Sequence, residues 1–404
     1  MMARIRFLHV ADLHLDSPFK GISSIPKKRW KEIRESTFQA FQNMINYAVE
    51  SKPDFILIVG DIYDGENRSL RAQHLFQQGM EALNVENIPV YICHGNHDHL
   101  SGNWVRFQLP VNVHVFGEKV ETKTLLIREE KVHITGFSYK ERHIQEPMHS
   151  HFPISNHEEI HIGMLHGSVE GNKEHDVYAP FRKSDLLEKG YHYWALGHIH
   201  KRQIIHSEPP IVYPGNTQSR HRNESGIKGF YEVSLLNTQA DLQFVPSSAF
   251  IYDKLSIDCA DIIHANELII HIETALRNYS EIHGKAILEL TLNGMTDETI
   301  ELLKSSNKEE WHVLIQESLE QANNFLIIKE LYIETPIEKS PESTMLLSSL
   351  NEWNTSEWKL ALKELYQHSR GSRYLQPLDQ VFMDDVAKEA ESLVLEAIAR
   401  RGSN

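Results

Sequence analysis

The stretch PVYICHGNHDHL, residues 89–100, runs an apolar, β-branched segment straight into three histidines, an asparagine and an aspartate. Apolar residues bounded by Pro and Gly read as a buried strand, and strand ends in layered α/β proteins are where ligands bind. The same arrangement recurs four times. FLHV leads to Asp12 and His14, FILIV to Gly60-Asp61, IHIGML to His166-Gly167, and YWAL to Gly197-His198-Ile199-His200. Residues two apart in extended chain project to one side, so Asp12 with His14, and His198 with His200, each form a pincer. Glycine precedes Asp61, Asn96 and His198 and follows His166, which permits tight turns and close backbone approach.

Outward from these points the pattern is α/β. Through residue 250, RFLHV, FILIV, PVYIC, VNVHVF, TLLIR, VHITGF, IHIGML, YWAL, PIVY and FYEVSL read as strands, with helices near 28–51 and 69–86. The expected body is a layered, strand-rich sandwich over residues 1–245, flanked by helices. A polar stretch around Leu236–Phe250 is the expected boundary. Beyond it KLSID, a helix over 265–280, AILELTL, a helical region over 297–324 and LIIKELYIE predict a smaller α+β domain over 251–340. Residues 344–404 read as helical. There Val386, Ala390, Leu393, Val394, Ala397 and Ile398 form one apolar stripe.

Composition narrows the function classes. The chain has 404 residues and only Cys93 and Cys259, so no disulfide framework is expected. It shows no leader pattern and no run of about 18 apolar residues, so a cytoplasmic protein without membrane spans is expected. The net charge of −15 is uneven: residues 1–250 carry 27 Lys+Arg against 29 Asp+Glu, whereas 251–404 carry 14 against 27. The acidity therefore does not exclude a phosphate-binding front half. No RNP, zinc-finger or helix-turn-helix signature is present, so sequence-specific base reading is not indicated.

The clustered donors are two carboxylates, four imidazoles and an amide oxygen, without a thiolate. Mixed O/N donors point to Mn²⁺, Fe or catalytic Zn²⁺ rather than to a closed structural zinc site. Seven donors exceed the need of one tetrahedral ion; with one bridging carboxylate they fit two. Two divalent ions roughly 3.5 to 4 Å apart, sharing a hydroxide, suit in-line attack on phosphorus.

These residues carry a resemblance. DLH, GD, GNHD, a His before Gly, and GHIH, in this order, resemble the calcineurin-like metallophosphoesterase superfamily. ALGHIHK, FILIVGDIYD and YPGN followed by Gly229-Phe230 are similar to its SbcD-type DNA repair exonuclease branch, and QSRHRNESGIKGF to the bacterial YhaO-like exonucleases. The resemblance implies a layered metallophosphoesterase β-sandwich flanked by helices, with the smaller α+β domain as a cap. It assigns one ion to Asp12, His14, Asp61 and His200 and the other to Asp61, Asn96, His166 and His198. It implies that His97 assists the leaving oxygen, that Asp98 orients the His97 ring, and that Asp64 stands near the metals. The implied activity is a Mn²⁺-dependent DNA exonuclease or endonuclease that acts on DNA ends. Its implied partners are a coiled-coil ATPase of SbcC type, docked on residues 344–404, and a second copy, met through 28–51 and 69–86.

Each feature has a plainer alternative. Asp12 and His14 could be a turn, Asp61 a helix N-cap, Asn96-His97 a Gly-Asn turn, and His166, His198 and His200 packing residues. All five would have to coincide in order. Elsewhere the plain reading is preferred: His9 as a core residue, His94 and His99 as packing residues, and His149, His151, His157 and His161 as a solvated loop string. Lys201 and Arg220, with Arg202 and Arg222 beside them, are candidate phosphate contacts or ordinary surface. The C-terminal stripe, with Trp358, Leu362, Leu365 and Tyr366, either docks a partner or packs internally. Two rival functions stay open: a phosphodiesterase or phosphatase for nucleotides or phosphoproteins, and a DNA- and ATPase-binding scaffold with negligible hydrolysis.

Overall fold

The computed structural model describes residues 4–19, 27–65, 68–102, 107–156, 158–170, 178–236, 238–296, 299–300, 307–321, 325–334 and 355–368, with isolated positions 345, 348, 349, 353, 383, 386, 387, 390, 391 and 394. The chain divides into two compact units, Met1–Leu292 with Thr296–Tyr332, and Asn293–Met295 with Ile333–Asn404.

The first unit is a mixed α/β structure built on two six-stranded sheets. In the first sheet, β1 (Ile5–Ala11), β2 (Phe55–Val59), β3 (Val90–Cys93) and β4 (Val113–Val115) run parallel. The second contains β5 (Glu121–Ile127), β6 (Glu130–Gly136), β7 (Ile160–His166), β8 (Tyr193–Gly197), β9 (Gln203–Ser207) and β10 (Pro210–Tyr213), with β6, β7, β8 and β10 parallel. β11 (Gly229–Leu236) pairs antiparallel with β1, and β12 (Gln239–Pro246) pairs antiparallel with β11 as the edge of the first sheet.

Strand alternation explains the layering. Phe7, Ala11, Phe55, Leu57, Val59, Tyr91 and Cys93 face Val132, Ile134, Ile162, Met164, Tyr193 and Ala195 in a core between the sheets. The intervening residues Leu8, Val10, Ile56, Ile58, Val90 and Ile92 face outward. There they meet Phe41, Met44 and Ile45 of α1 (Lys27–Ser51) and Phe76, Met80 and Leu83 of α2 (Leu70–Val85). Both faces of β2 are thus buried, which is why FILIV is apolar throughout. The far face of the second sheet is covered by Phe137, Tyr139, Phe152, Phe181 and Leu186, the last from α3 (Lys183–Leu187).

A separate three-stranded sheet, in the order β13 (Ile251–Asp258), β14 (Ala286–Asn293), β15 (Leu326–Ile333), carries α4 (Ala265–His283) and α5 (Lys308–Gln321). α4 buries Leu268, Ile272, Leu276 and Tyr279, a single helical stripe. Phe250, Tyr252, Ile287, Phe325 and Ile327 pack this small sheet onto Phe19 and Ile33 at the start of α1.

The stretch around Leu236–Phe250, read as a polar boundary, contains β12, and Gln203–Ser207, not among the expected strands, forms β9. Both are edge strands, exposed along one side, so their apolar signal is weak. The second unit includes α6 (Thr355–Ala361) and α7 (Lys363–Tyr366), where the Trp353 and Trp358 rings meet at 4.9 Å. Of the expected C-terminal stripe, Val386, Ala390 and Val394 are helical; Leu393, Ala397 and Ile398 lie outside the described residues. Among the described residues no helix is long and apolar enough to cross a membrane.

Candidate metal centre

The carboxyl ends of β1, β2 and β3 in one sheet meet those of β7 and β8 in the other, so the five motif turns converge. The first two turns are zipped by backbone hydrogen bonds: the His14 N–H donates to the Asp61 carbonyl at 2.9 Å and the Leu15 N–H to that of Ile62 at 2.8 Å. Sharp reversal is needed to bring each side chain inward. Asp12, His14, Asp61 and His198 accordingly adopt left-handed backbone, with φ of 52°, 42°, 48° and 96°. Such conformations cost non-glycine residues about 1–3 kcal/mol each and cluster at functional sites.

The donors form a continuous cluster. His14 Nε2 lies 3.0 Å from His200 Nε2 and 3.7 Å from Asp61 Oδ2. Asp61 Oδ2 lies 3.3 Å from His166 Nε2, which is 3.0 Å from Asn96 Oδ1; His198 Nδ1 is 3.3 Å from that same oxygen. The Asp12 carboxylate accepts the His198 N–H at 3.1 Å. Three groups bring their donor atoms within 4.8 Å of one another: Asp12, His14 and His200; Asp61, His166 and His198; and His14, Asp64 and His97. Ligands about 2.1 Å from a cation and near right angles to each other are about 3 Å apart, so these spacings fit donors converging on divalent ions.

Space around the cluster is reserved by glycine. A Cβ on Gly95 would lie 2.3 Å from Asp61 Oδ1 and 2.6 Å from His166 Nε2. Gly60, at φ +77°, would put one 2.0 Å from His166 Nδ1.

The electrostatics follow from burial among paired charges. Burial opposes charge on His166, but the Asp61 and Asp12 carboxylates outweigh it and push its pKa up to about 9. Burial raises Asp12 to about 6, whereas around Asp61 the neighbouring imidazoles overcome burial and hold its carboxyl well below the usual range. Burial, with Arg220 nearby, lowers His14 to about 3. The Nδ1 of His166 faces the Val59 carbonyl at 3.2 Å, which keeps Nε2 toward the cluster.

At the rim, His97 Nδ1 lies 3.1 Å from Asp64 Oδ1. Burial lowers the His97 pKa, yet the Asp64 and Asp61 carboxylates prevail and the net shift is upward. The expectation that Asp98 orients this ring is therefore corrected. Its carboxylate accepts the Gly95 N–H at 2.6 Å and the Ile62 N–H at 3.0 Å and pairs with His94 Nδ1 at 2.9 Å. Asp98 ties the β2 and β3 turns together instead. Asp64 Oδ1 also lies 3.5 Å from His14 Nδ1 and 3.1 Å from a guanidinium nitrogen of Arg220, which brings Arg220 to the rim. Lys201 is exposed, one residue past His200.

Among the described residues, the other histidines singled out in the sequence fall outside the cluster. His9 is buried between the Tyr193 hydroxyl and the Leu196 carbonyl, and His99 meets Ser101. His149 and His151 pair with Asp185 and Glu146; His161 sits in β7 rather than in a loop, against Asn156, and His157 lies outside the described residues. One contributor was not singled out in the sequence: Glu224, within QSRHRNESGIKGF, whose Oε1 lies 2.6 Å from His200 Nδ1.

Comparison with known proteins agrees with this geometry. The profile of the calcineurin-like phosphoesterase family matches residues 5–202. The uncharacterized metallophosphoesterase YhaO of Bacillus subtilis strain 168 is 37% identical over 341 residues, 84% of each chain. The DNA double-strand break repair protein Mre11 of Methanocaldococcus jannaschii is 27% identical over 277 residues, 64% of this chain and 69% of its own. Mre11 of Nanoarchaeum equitans is 25% identical over 373 residues, 83% of this chain and 96% of its own. The chain belongs to the calcineurin-like metallophosphoesterase family. Membership implies a metal-dependent phosphoester hydrolase.

Proposed function

We propose that this chain is a nuclease subunit that hydrolyses phosphodiester bonds at DNA ends. The observation that carries the reading is the convergence of seven O and N donors beside a carboxylate-paired histidine, in a chain whose relatives include proteins named for DNA double-strand break repair. Asp12, His14, Asp61 and His200 would hold one divalent ion, and Asp61, Asn96, His166 and His198 a second, with Mn²⁺ the metal proposed for such a donor set. Bound there, the two cations supply an acidified water and neutralise phosphate charge.

The chain's own side chains do the rest. Asp64 fixes the Nδ1 edge of His97, which leaves Nε2 to deliver a proton to the departing 3′ oxygen. Arg220 adds a permanent positive charge for the phosphate, and Lys201 extends that charge along the bound strand. Residues 251–340 cap the cleft and select ends, residues 344–404 recruit a coiled-coil ATPase, and α1 and α2 pair two copies in the cytoplasm.

The test incubates the Mn²⁺-loaded protein with end-labelled linear duplex and, separately, with a small chromogenic diester. Cleavage of the duplex, abolished by Asp61→Ala and reduced about 10²- to 10⁴-fold by His97→Ala, supports the reading. Activity on the small diester alone overturns it.

A further inference from the structure

The turn after β10 holds a buried carboxylate that the ligand set does not include. Glu224 is 7% exposed, and each of its oxygens is engaged. Oε1 lies 2.6 Å from His200 Nδ1 and 3.2 Å from His221 Nε2. Oε2 accepts the backbone N–H of Arg220 at 2.7 Å and the Asn216 amide at 2.9 Å. The segment that carries it is itself fixed: the Ser219 hydroxyl donates to the Glu224 carbonyl at 2.6 Å, and the Gly226 N–H donates to the Tyr252 carbonyl at 2.8 Å. From the other side, Lys228 Nζ donates to the His200 carbonyl at 3.3 Å.

We propose that Glu224 is a positioning residue of the metal centre, holding His200 as the Nδ1–H tautomer with its Nε2 lone pair aimed at Asp12 and His14, and setting the backbone from which Arg220 reaches Asp64. The chemistry is specific. A carboxylate only accepts, so the His200 Nδ1 it meets at 2.6 Å, well inside the 3.4 Å to an Arg220 guanidinium nitrogen, carries the proton, and the opposite nitrogen, 3.0 Å from His14 Nε2, is left as a donor to a cation. The same carboxylate holds the main chain of Arg220, whose guanidinium meets Asp64 Oδ1 at 3.1 Å. One buried group therefore sets a ligand and a phosphate-facing cation together. This inference rests on the two-ion reading of the site, not on DNA as the substrate.

The isosteric Glu224→Gln separates positioning from filling space. A glutamine can turn its amide oxygen to the Arg220 N–H, but the amide nitrogen then donates to His200 Nδ1. The ring is driven to the Nε2–H tautomer, which cannot bind a cation. Equilibrium dialysis of the full chain against Mn²⁺, with elemental analysis, is expected to show one of two ions bound about 10- to 100-fold more weakly in Glu224→Gln, at an unchanged metal-free melting temperature. Two ions bound with the affinity of the unaltered chain would overturn the proposal, as would a loss of metal accompanied by a fall in metal-free melting temperature. In the unaltered chain, ¹⁵N-histidine spectra of the Zn²⁺-loaded protein are expected to show His200 protonated at Nδ1; protonation at Nε2 would equally overturn it. Neither readout involves DNA cleavage, so the nuclease reading stands or falls separately.

Discussion

The Nδ1 of His97 lies 3.1 Å from a carboxylate oxygen of Asp64 and not against Asp98, its chain neighbour. Asp64 belongs to the turn after β2 and His97 to the turn after β3, so the pair exists only because the two strands are adjacent and parallel. A ring held from another strand does not depend on its own turn for its orientation. It follows that Asp64→Asn reduces kcat about 10²-fold by releasing the ring. His97→Ala is expected to cost far more on DNA than on a p-nitrophenyl diester, because p-nitrophenolate departs without a proton. Steady-state rates on both substrates check this.

Gly95→Ala is expected to dismantle the centre with little effect on the fold. The new methyl would press on Asp61 Oδ1 and His166 Nε2 at 2.3 and 2.6 Å, and neither can retreat from a buried, hydrogen-bonded position. Gly284→Ala is the contrast. At the end of α4, at φ +74° and ψ −135° with open space around it, it costs about 1–3 kcal/mol of stability and leaves metal content unchanged. Elemental analysis and thermal melting of the two variants separate these effects.

Much of this site was legible in the sequence because each donor follows directly on an apolar run, and the fold turns five such runs to one place. What was hidden depends on contacts between turns. Asp98 read as the partner of His97 by adjacency, but its carboxylate is taken by the Gly95 and Ile62 N–H groups, which a linear reading does not see. Glu224 stands 24 residues from His200 in a polar segment without periodicity. β12 was read as a boundary because an edge strand with one solvated side looks like a loop.

Mn²⁺ affinity is expected to rise with pH. In the metal-free chain Asp61 and Asp12 hold a proton on His166 up to about pH 9. A cation needs the neutral imidazole, so binding expels that proton. Below pH 9 the affinity should climb by up to about tenfold per pH unit from this group and level off above it. Titration calorimetry in buffers of different ionisation enthalpy reads both the slope and the released proton.

The small sheet's anchorage offers a separate test of the proposed capping role. Phe325 packs among Phe250, Ile33 and Ile327, with the Arg29 and Lys285 cations each 5.1 Å from its ring centre. Phe325→Ala removes about 3–5 kcal/mol of packing there. KM for duplex DNA is expected to rise while kcat on the small diester and the metal content hold constant; kinetics on the two substrates checks the split.

Whether Asp61 joins two cations held by donors from both sheets, as proposed, is decided by anomalous diffraction from Mn²⁺-soaked crystals. Two peaks are expected roughly 3.5 to 4 Å apart, both within ligand distance of the Asp61 carboxylate, one beside His14 and His200 and the other beside His166 and His198. A single peak, or peaks away from Asp61, would rule the bridge out.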